Sequence, residues 1–339
     1  MRFFALALIS LPTPQTPRTD LEAQLRRWPA GVVVRIAESA RPNADGALGR
    51  NRQGYFHVRF QLGISALADA AVIGRRHDLA ADAVRALEYS ARFETGAGDF
   101  RLQIPPRMLG APNAGDRASA RAFFLSDAGS AVLALERSDW FQQLPAADSL
   151  RQRLRQLHPV YARALSRLVA DSALLRRTDA RAPNRLFFDA LAYTAMGNWL
   201  GDSTAQRLGV GFSQRALALQ RPEGWFVEGE GWDSSYQGVA LARAWRLWAL
   251  LSDSTHAEEL GAALDRGTRW FASRILANGE ISAEGNTRVY PGGEAFLGQE
   301  KRVAWIDGLR ALNSAAAARN SAPYFALGER VRRHYAPRD

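Results

Sequence analysis

Apolar residues recur along most of this chain at the spacing of a helix face rather than that of a strand. Leu186, Ala190, Tyr193, Gly197 and Leu200 form one such stripe. The pattern repeats on a larger scale. Helix pairs begin near Tyr55, Arg117, Asn184, Asp233 and Val303, roughly 50 to 70 residues apart, the period of a hairpin array. The two helices of a pair differ in kind. From Asp233 to Ser252 the chain is apolar nearly all round, with Val239, Leu241, Ala244, Trp245, Leu247, Trp248 and Leu251, so that helix must be buried on several sides. The following stretch, Ser254 to about Ile275, sets Leu260, Leu264, Trp270 and Phe271 against Glu258, Glu259, Asp265 and Arg269. An inner ring of buried helices wrapped by an outer ring of amphipathic ones satisfies both patterns. The expected fold is therefore all-α, an incomplete α/α toroid of about five helical hairpins. An open solenoid of stacked pairs is the alternative, but solenoid units are usually shorter and more uniform.

Strand signals are sparse, and only Gly31 to Ile36 reads as a short β-branched run. Three amphipathic helices end in related glycine turns: Glu94 to Phe100, Gln220 to Phe226 and Ala277 to Ile281. Glycine past a helix end supplies the left-handed cap residue, and each turn feeds the next inner helix. Leu102 to Asp116, rich in proline and glycine, is the longest loop and is placed to cover a cleft.

Composition narrows the function classes. The chain has 339 residues, 47% of them hydrophobic, enough for a sizeable core in one domain. The net charge of +10 points to a polyanionic partner, yet every cation except Lys301 is arginine and the arginines are scattered. No run resembles a basic arm, so nucleic acid is not the expected partner. Cysteine is absent, which excludes disulfides and thiolate metal sites. Met1-Arg2, the apolar run Phe3 to Leu11, and Pro12, Pro14 and Pro17 read as a signal peptide over residues 1–17. Residues 18–339 then form the toroid of a periplasmic or secreted protein, with no later segment long enough to span a membrane.

In a toroid the inner helices begin around one mouth of the ring, so residues just before each of them converge. Those positions hold Asn51, Arg52, Tyr55, His57 and Arg59; Arg117 and Arg121; Asn184 and Arg185; Glu228, Glu230, Asp233 and Tyr236; and Arg288, Tyr290, Glu300, Lys301, Arg302, Trp305 and Asp307. Arginine forks grip carboxylates and sulfates, while aromatic faces cover the apolar side of sugar rings. An acidic polysaccharide or oligosaccharide fits such a mouth. Arg52, Tyr55, Arg121, Trp225, Glu228, Asp233, Arg302 and Trp305 are the expected substrate-binding residues.

Two segments carry a family resemblance: Ala182-Pro-Asn-Arg-Leu-Phe-Phe-Asp189 and the stretch from Gln220 to Gln237. Together they resemble the toroid domain of the heparinase II/III and related alginate lyases. Those families carry an Asn-His pair opening one inner helix and, one hairpin later, a segment with Gln, Asp-Gly, Glu, Ser and Tyr. Asn184 matches the asparagine, Glu223-Gly224 approximates Asp-Gly, and Tyr236 matches the tyrosine. Arg185 stands where the family has histidine, the acidic segment before Tyr236 is longer, and no β-sandwich follows. The resemblance covers the middle third of the chain and implies a polysaccharide lyase.

The residue types support that chemistry by themselves. Eliminating across C4–C5 of a uronic acid requires its carboxylate to be neutralised, because the C5 proton is otherwise too weakly acidic. Asn184, helped by Arg185, can hydrogen-bond the developing enolate. Tyr236 can move the proton if nearby arginines lower its proton affinity. His57 is placed to supply the role that the family gives to the histidine. No metal or cofactor is called for. The rival readings are a glycoside hydrolase using two carboxylates among Glu228, Glu230, Asp233 and Asp307, and a glycan-binding protein without catalysis.

Overall fold

The computed structural model describes residues 21–104, 112–251, 254–296 and 298–336, so the expected signal segment and residues 105–111 of the loop from Leu102 to Asp116 lie outside the described residues. Two short helices, α1 (Leu21–Leu25) and α2 (Ala30–Glu38), precede five hairpins. The first pairs α3 (Ile64–Gly74) with α4 (His77–Ala91). The second runs from α5 (Ala114–Glu136) through the short α6 (Asp139–Gln143) to α7 (Asp148–Ala170). A connecting helix, α8 (Ser172–Thr178), leads to α9 (Pro183–Leu200) and α10 (Ser203–Leu217). Then come α11 (Ser234–Leu250) with α12 (Ser254–Ser273) and α13 (Trp305–Arg319) with α14 (Ala322–Tyr335).

Packing sorts these helices as their patterns predict. α3, α5, α9, α11 and α13 contact one another in that order and form the inner ring. Every residue from Ala118 to Leu135 of α5 is buried, as an inner helix requires. Outer α7 buries only a stripe that includes Leu150, Leu154, Leu157, Tyr161, Leu165 and Leu168. The inner helices run in parallel, since Gly129 of α5 faces Ala195 and Met196 of α9, and Gly238 of α11 lies against Gly308 of α13. A Cβ at Gly238 would sit 3.2 Å from the Gly308 Cα, so the pair of glycines lets the two backbones approach closely. The molecule is an α/α toroid.

A buried ionic hub links the two ends of the ring. Arg310 of α13 donates to Ser65 of α3 (3.0 Å) and lies 3.6 Å from Asp69, which Arg246 of α11 also grips. From α5, Asp127 accepts the backbone N–H groups of Gly63 (2.8 Å) and Ile64 (2.7 Å) and the Ser65 hydroxyl. These groups satisfy the open start of α3 and join it to its ring neighbours.

The glycine turns form a structural repeat that extends further than the sequence suggests. Glu94 bridges to Phe100, Gln220 to Phe226 and Ile275 to Ile281 in the same antiparallel manner. Gly98, Gly224 and Gly279 take positive φ in these turns, and so does Gly46 in a fourth. Each presses on the next outer helix: a Cβ would lie 2.1–2.4 Å from the carbonyl oxygens of Arg163, Arg266, Arg330 and Arg85 respectively. A glutamine from the inner side clamps two of the four. Gln61 accepts the Leu48 N–H and donates to Ala86, while Gln237 accepts the Phe226 N–H and donates to Gly267.

Two local expectations fail. Gly31 to Ile36 is helical within α2, burying Val32, Val33, Ile36 and Ala37 on one face. The first inner helix begins at Ile64 rather than near Tyr55, because the preceding residues form two 3-10 turns, Gly49–Gln53 and Val58–Phe60.

Candidate active site

Asp233 organises the richest part of the mouth. It is the N-cap of α11, where its Oδ1 accepts the Tyr236 N–H (3.0 Å). Its Oδ2 accepts the N–H groups of Arg288 (3.1 Å) and Val289 (2.7 Å). One buried carboxylate therefore fixes both the first turn of α11 and the segment that crosses it. That segment, residues 286–304, is held along its length. Asn286 accepts the Ser234 N–H (2.8 Å), Thr287 donates to the Glu228 carbonyl (2.7 Å), and the Ala304 N–H reaches the Ser235 hydroxyl (2.9 Å). Within it lies a small antiparallel ladder, β1 (Ala295–Phe296) with β2 (Gln299–Glu300).

The segment encloses the phenol of Tyr236. The Tyr236 hydroxyl donates to Glu294 Oε2 (2.8 Å) and accepts from Lys301 Nζ (2.6 Å). Lys301 also bonds Glu294 Oε1 (2.7 Å), and Arg288 Nη2 donates to the same oxygen (3.0 Å). Arg288 lies over the Tyr236 ring at 4.4 Å and pairs through Nη1 with Glu228. Burial raises the Glu294 carboxyl, but hydrogen bonds from Lys301, Tyr236 and Arg288 outweigh it and bring its pKa down to about 2. Glu228 is raised by burial, with Arg288 opposing. Burial and the bond to Glu294 hold the Tyr236 phenol above its ordinary value, against the pull of Arg288. Arg288 thus acts on Tyr236 in the expected direction, but burial and Glu294 outweigh it.

The neighbouring inner helix supplies the second half of the mouth. Pro183 opens α9 after Ala182, so Asn184 lies inside the first turn and caps nothing. It is buried, and its Oδ1 has no hydrogen-bond partner. Arg185 is tied to Asp179 (3.1 Å). Beneath them Asp189 is wholly buried with both oxygens unpartnered, and burial, reinforced by the Asp179 charge, raises its carboxyl far above the usual range. Arg59 completes the group. Its guanidinium lies 4.5 Å over the Phe123 ring, and burial followed by the Arg185 charge lowers its proton affinity. It interacts electrostatically with Tyr236 as well as Arg185, which places it between the two halves. Phe123 stacks on Phe188 at 4.0 Å, and Arg243 covers the far face of that pair at 4.5 Å from Phe188, so the mouth has an aromatic floor.

From the sequence expectation, the structure brings Arg185, Glu228, Asp233 and Tyr236 within electrostatic reach of one another, with Asn184 next to Arg185 in the first turn of α9. Arg59, Arg288, Glu294 and Lys301 join them. Of these four, all but Glu294 stood among the mouth positions, and nothing local in the sequence distinguished any of them. The other expected residues have different positions. Arg121 is 1% exposed, with its fork taken up by Asp99 and Asp171 at 2.8 Å each. Trp305 stacks on Tyr335 of α14, and Trp225 packs edge-on to Trp232. Arg52 is exposed and bonds the carbonyls of Gly49 and Arg41, and Tyr55 bonds Gln53. Arg302 is exposed beside Lys301. His57 is buried with its Nδ1 accepting the Arg59 N–H (3.1 Å), and burial with the Arg59 charge lowers its pKa to about 4. It shapes the turn that presents Arg59. Among the hydrolase carboxylates, Asp233 is occupied as a cap, Asp307 pairs with Arg243 (2.8 Å) and Glu230 is exposed. A groove of about 240 Å³ lies elsewhere, between α2, α3 and α4. Among the described residues no helix is long and apolar enough to cross a membrane.

No protein-family profile and no curated protein matches this sequence. Among solved structures, the chain is similar to a point mutant of the chondroitin AC lyase of Streptomyces coelicolor A3, at 15% identity and a TM-score of 0.46. The similarity covers 93% of this chain and 42% of that one, so the chain spans less than half the length of that lyase.

Proposed function

We propose that this protein is a polysaccharide lyase that cleaves a uronate-containing polysaccharide by β-elimination, acting outside the cytoplasm as Met1 to Leu11 suggests. The observation that carries the reading is the Arg59 guanidinium, which acts electrostatically on both Tyr236 and Arg185. Asn184 stands next to Arg185 in the first turn of α9, and the Arg59 guanidinium makes no hydrogen bond or salt bridge among the described residues, although Asp179 and Asp116 act on it electrostatically. A partly buried guanidinium with no carboxylate bonded to it, and an amide whose N–H2 can donate, suit a carboxylate. Arg59 takes over the part first given to Arg185, whose charge is already shared with Asp179.

The chemistry runs as follows. The substrate carboxylate binds between the Arg59 guanidinium and the Asn184 amide, which spreads the negative charge that builds on the acid as the C5 proton leaves. Tyr236, once its phenol has ionised against the hold of burial and Glu294, takes that proton as tyrosinate. The C5–H electron pair becomes the C4=C5 double bond, and the C4–O4 bond breaks with its pair on oxygen. Tyr236 then returns the same proton to O4, so no proton is gained or lost overall.

One observation favours a hydrolase instead. Glu228 is raised and Glu294 is lowered, and both are linked through Arg288, the divergence expected of an acid and its partner carboxylate. The test is the product formed from uronate polymers. A lyase leaves unsaturated, ultraviolet-absorbing ends, whereas a hydrolase leaves new reducing ends without that absorbance.

A further inference from the structure

Lys301 is the single lysine among 44 lysines and arginines, and it stands 2.6 Å from the Tyr236 hydroxyl. Elsewhere this chain meets its carboxylates with arginine, whose planar fork suits two oxygens at once. At this position one compact charge touches both the phenol oxygen and Glu294 Oε1. Tyr236 therefore lies between opposed neighbours. Glu294 accepts the phenol proton and favours the neutral form, while the Lys301 ammonium donates to the same oxygen and favours the tyrosinate. The other charged groups near the phenol are Arg288 over its ring, Glu228 behind Arg288, and Arg59 from the turn before α3. Arg288 divides its charge between Glu228 and Glu294, which leaves Lys301 as the cation in direct contact with the oxygen that must ionise.

We propose that Lys301 is a positioning residue that keeps the Tyr236 oxygen able to release its proton, working against Glu294. This rests on the lyase reading. Lys301 need not touch the sugar: the proton from C5 passes to the tyrosinate and on to O4, and the ammonium only stabilises the charge on the oxygen between these events. Lysine suits the task because its point charge reaches one oxygen of a crowded phenol without needing a second acceptor in the same plane.

The sign of the effect separates this role from a structural one. Removing a cation beside an ionising phenol raises its proton affinity; removing an anion lowers it. In Lys301→Met the rising limb of kcat/KM against pH should move upward by about one to two units. Activity near neutrality should then fall about tenfold or more and return as the pH is raised. In Glu294→Gln the limb should move the opposite way, and Lys301→Arg should leave it near its original position. A loss in Lys301→Met that is equal at every pH, in protein of unchanged melting temperature, would overturn the proposal. A second measurement needs no substrate. Tyrosinate absorbance against pH, taken as wild type minus Tyr236→Phe, isolates Tyr236, and its midpoint should shift in the same opposite directions in the two variants. An unmoved midpoint overturns the proposal even if the protein proves to be a lyase. Absence of unsaturated product from every uronate polymer, with the midpoint moving as expected, would instead discard the lyase reading alone.

Discussion

At the start of α9, Asn184 buries a carboxamide oxygen that meets no donor. Such an atom normally costs about 1–3 kcal/mol, so it persists only where something else requires it. Asn184→Ala should therefore leave stability unchanged or slightly higher by thermal melting, while turnover on a uronate polymer falls by about 10²-fold or more, the scale of a lost stabilising donor. A strongly destabilised but active variant would show the amide to be structural. His57 makes a different prediction at this scale. Its folded-state pKa of about 4 lies below the ordinary value of 6.5, so the unfolded chain binds the extra proton between the two. The contribution of His57 is complete above pH 6.5 and is lost as pH falls toward 4, by up to about 3 kcal/mol. Melting curves across that window should fall less steeply for His57→Gln than for wild type, and parallel curves would refute it. Asn184 and Tyr236 stand out in the sequence because a short motif surrounds each. Glu294 and Lys301 do not, because each acquires its role only when residues 286–304 fold over a tyrosine more than 50 positions earlier.

Elements were legible where packing repeats a pattern, and less so where a neighbour overrides it. The glycine turns were visible as related sequences, and their cause is a shared docking on the next outer helix. Gly224 has φ of +108°, and its Cβ would meet the Arg266 carbonyl at 2.3 Å. Gly224→Ala combines a disfavoured backbone with a backbone clash and should cost about 2–4 kcal/mol in denaturant unfolding. A change within experimental error would mean that the turn moves freely away from α12. The run Gly31 to Ile36 was misread because consecutive valines favour strands in isolation. Here Leu21 and Leu25 of α1 and the first hairpin offer an apolar surface that a helix face matches better, and tertiary packing decides. The onset of α3 was missed for a related reason. Residues 49–60 carry apolar side chains such as Tyr55, Phe56 and Val58 that are buried from 3-10 turns and extended links rather than from a regular helix.

For the molecule as a whole, the alternation of buried and amphipathic helices made the toroid readable before any residue was placed. Charge was harder to read, because most arginines are engaged within the protein: Arg121, Arg246 and Arg310 all serve buried networks. At the mouth, the Arg59 guanidinium makes no salt bridge among the described residues and is the cation that the lyase reading offers to a substrate. Uronate polymers should therefore bind more tightly than neutral glucans of equal length, with affinity falling as salt rises. Arg59→Ala should remove most of that preference, whereas equal affinity for a neutral glucan would leave the mouth without an anionic partner. The most direct test of the account follows the ultraviolet absorbance of a panel of uronate polymers incubated with wild-type protein and with Tyr236→Phe of matched melting temperature. The account predicts rising absorbance from C4=C5 ends with the wild type and a loss of well over about 10²-fold in the variant. New reducing ends without absorbance, or a fully active Tyr236→Phe protein, would contradict it.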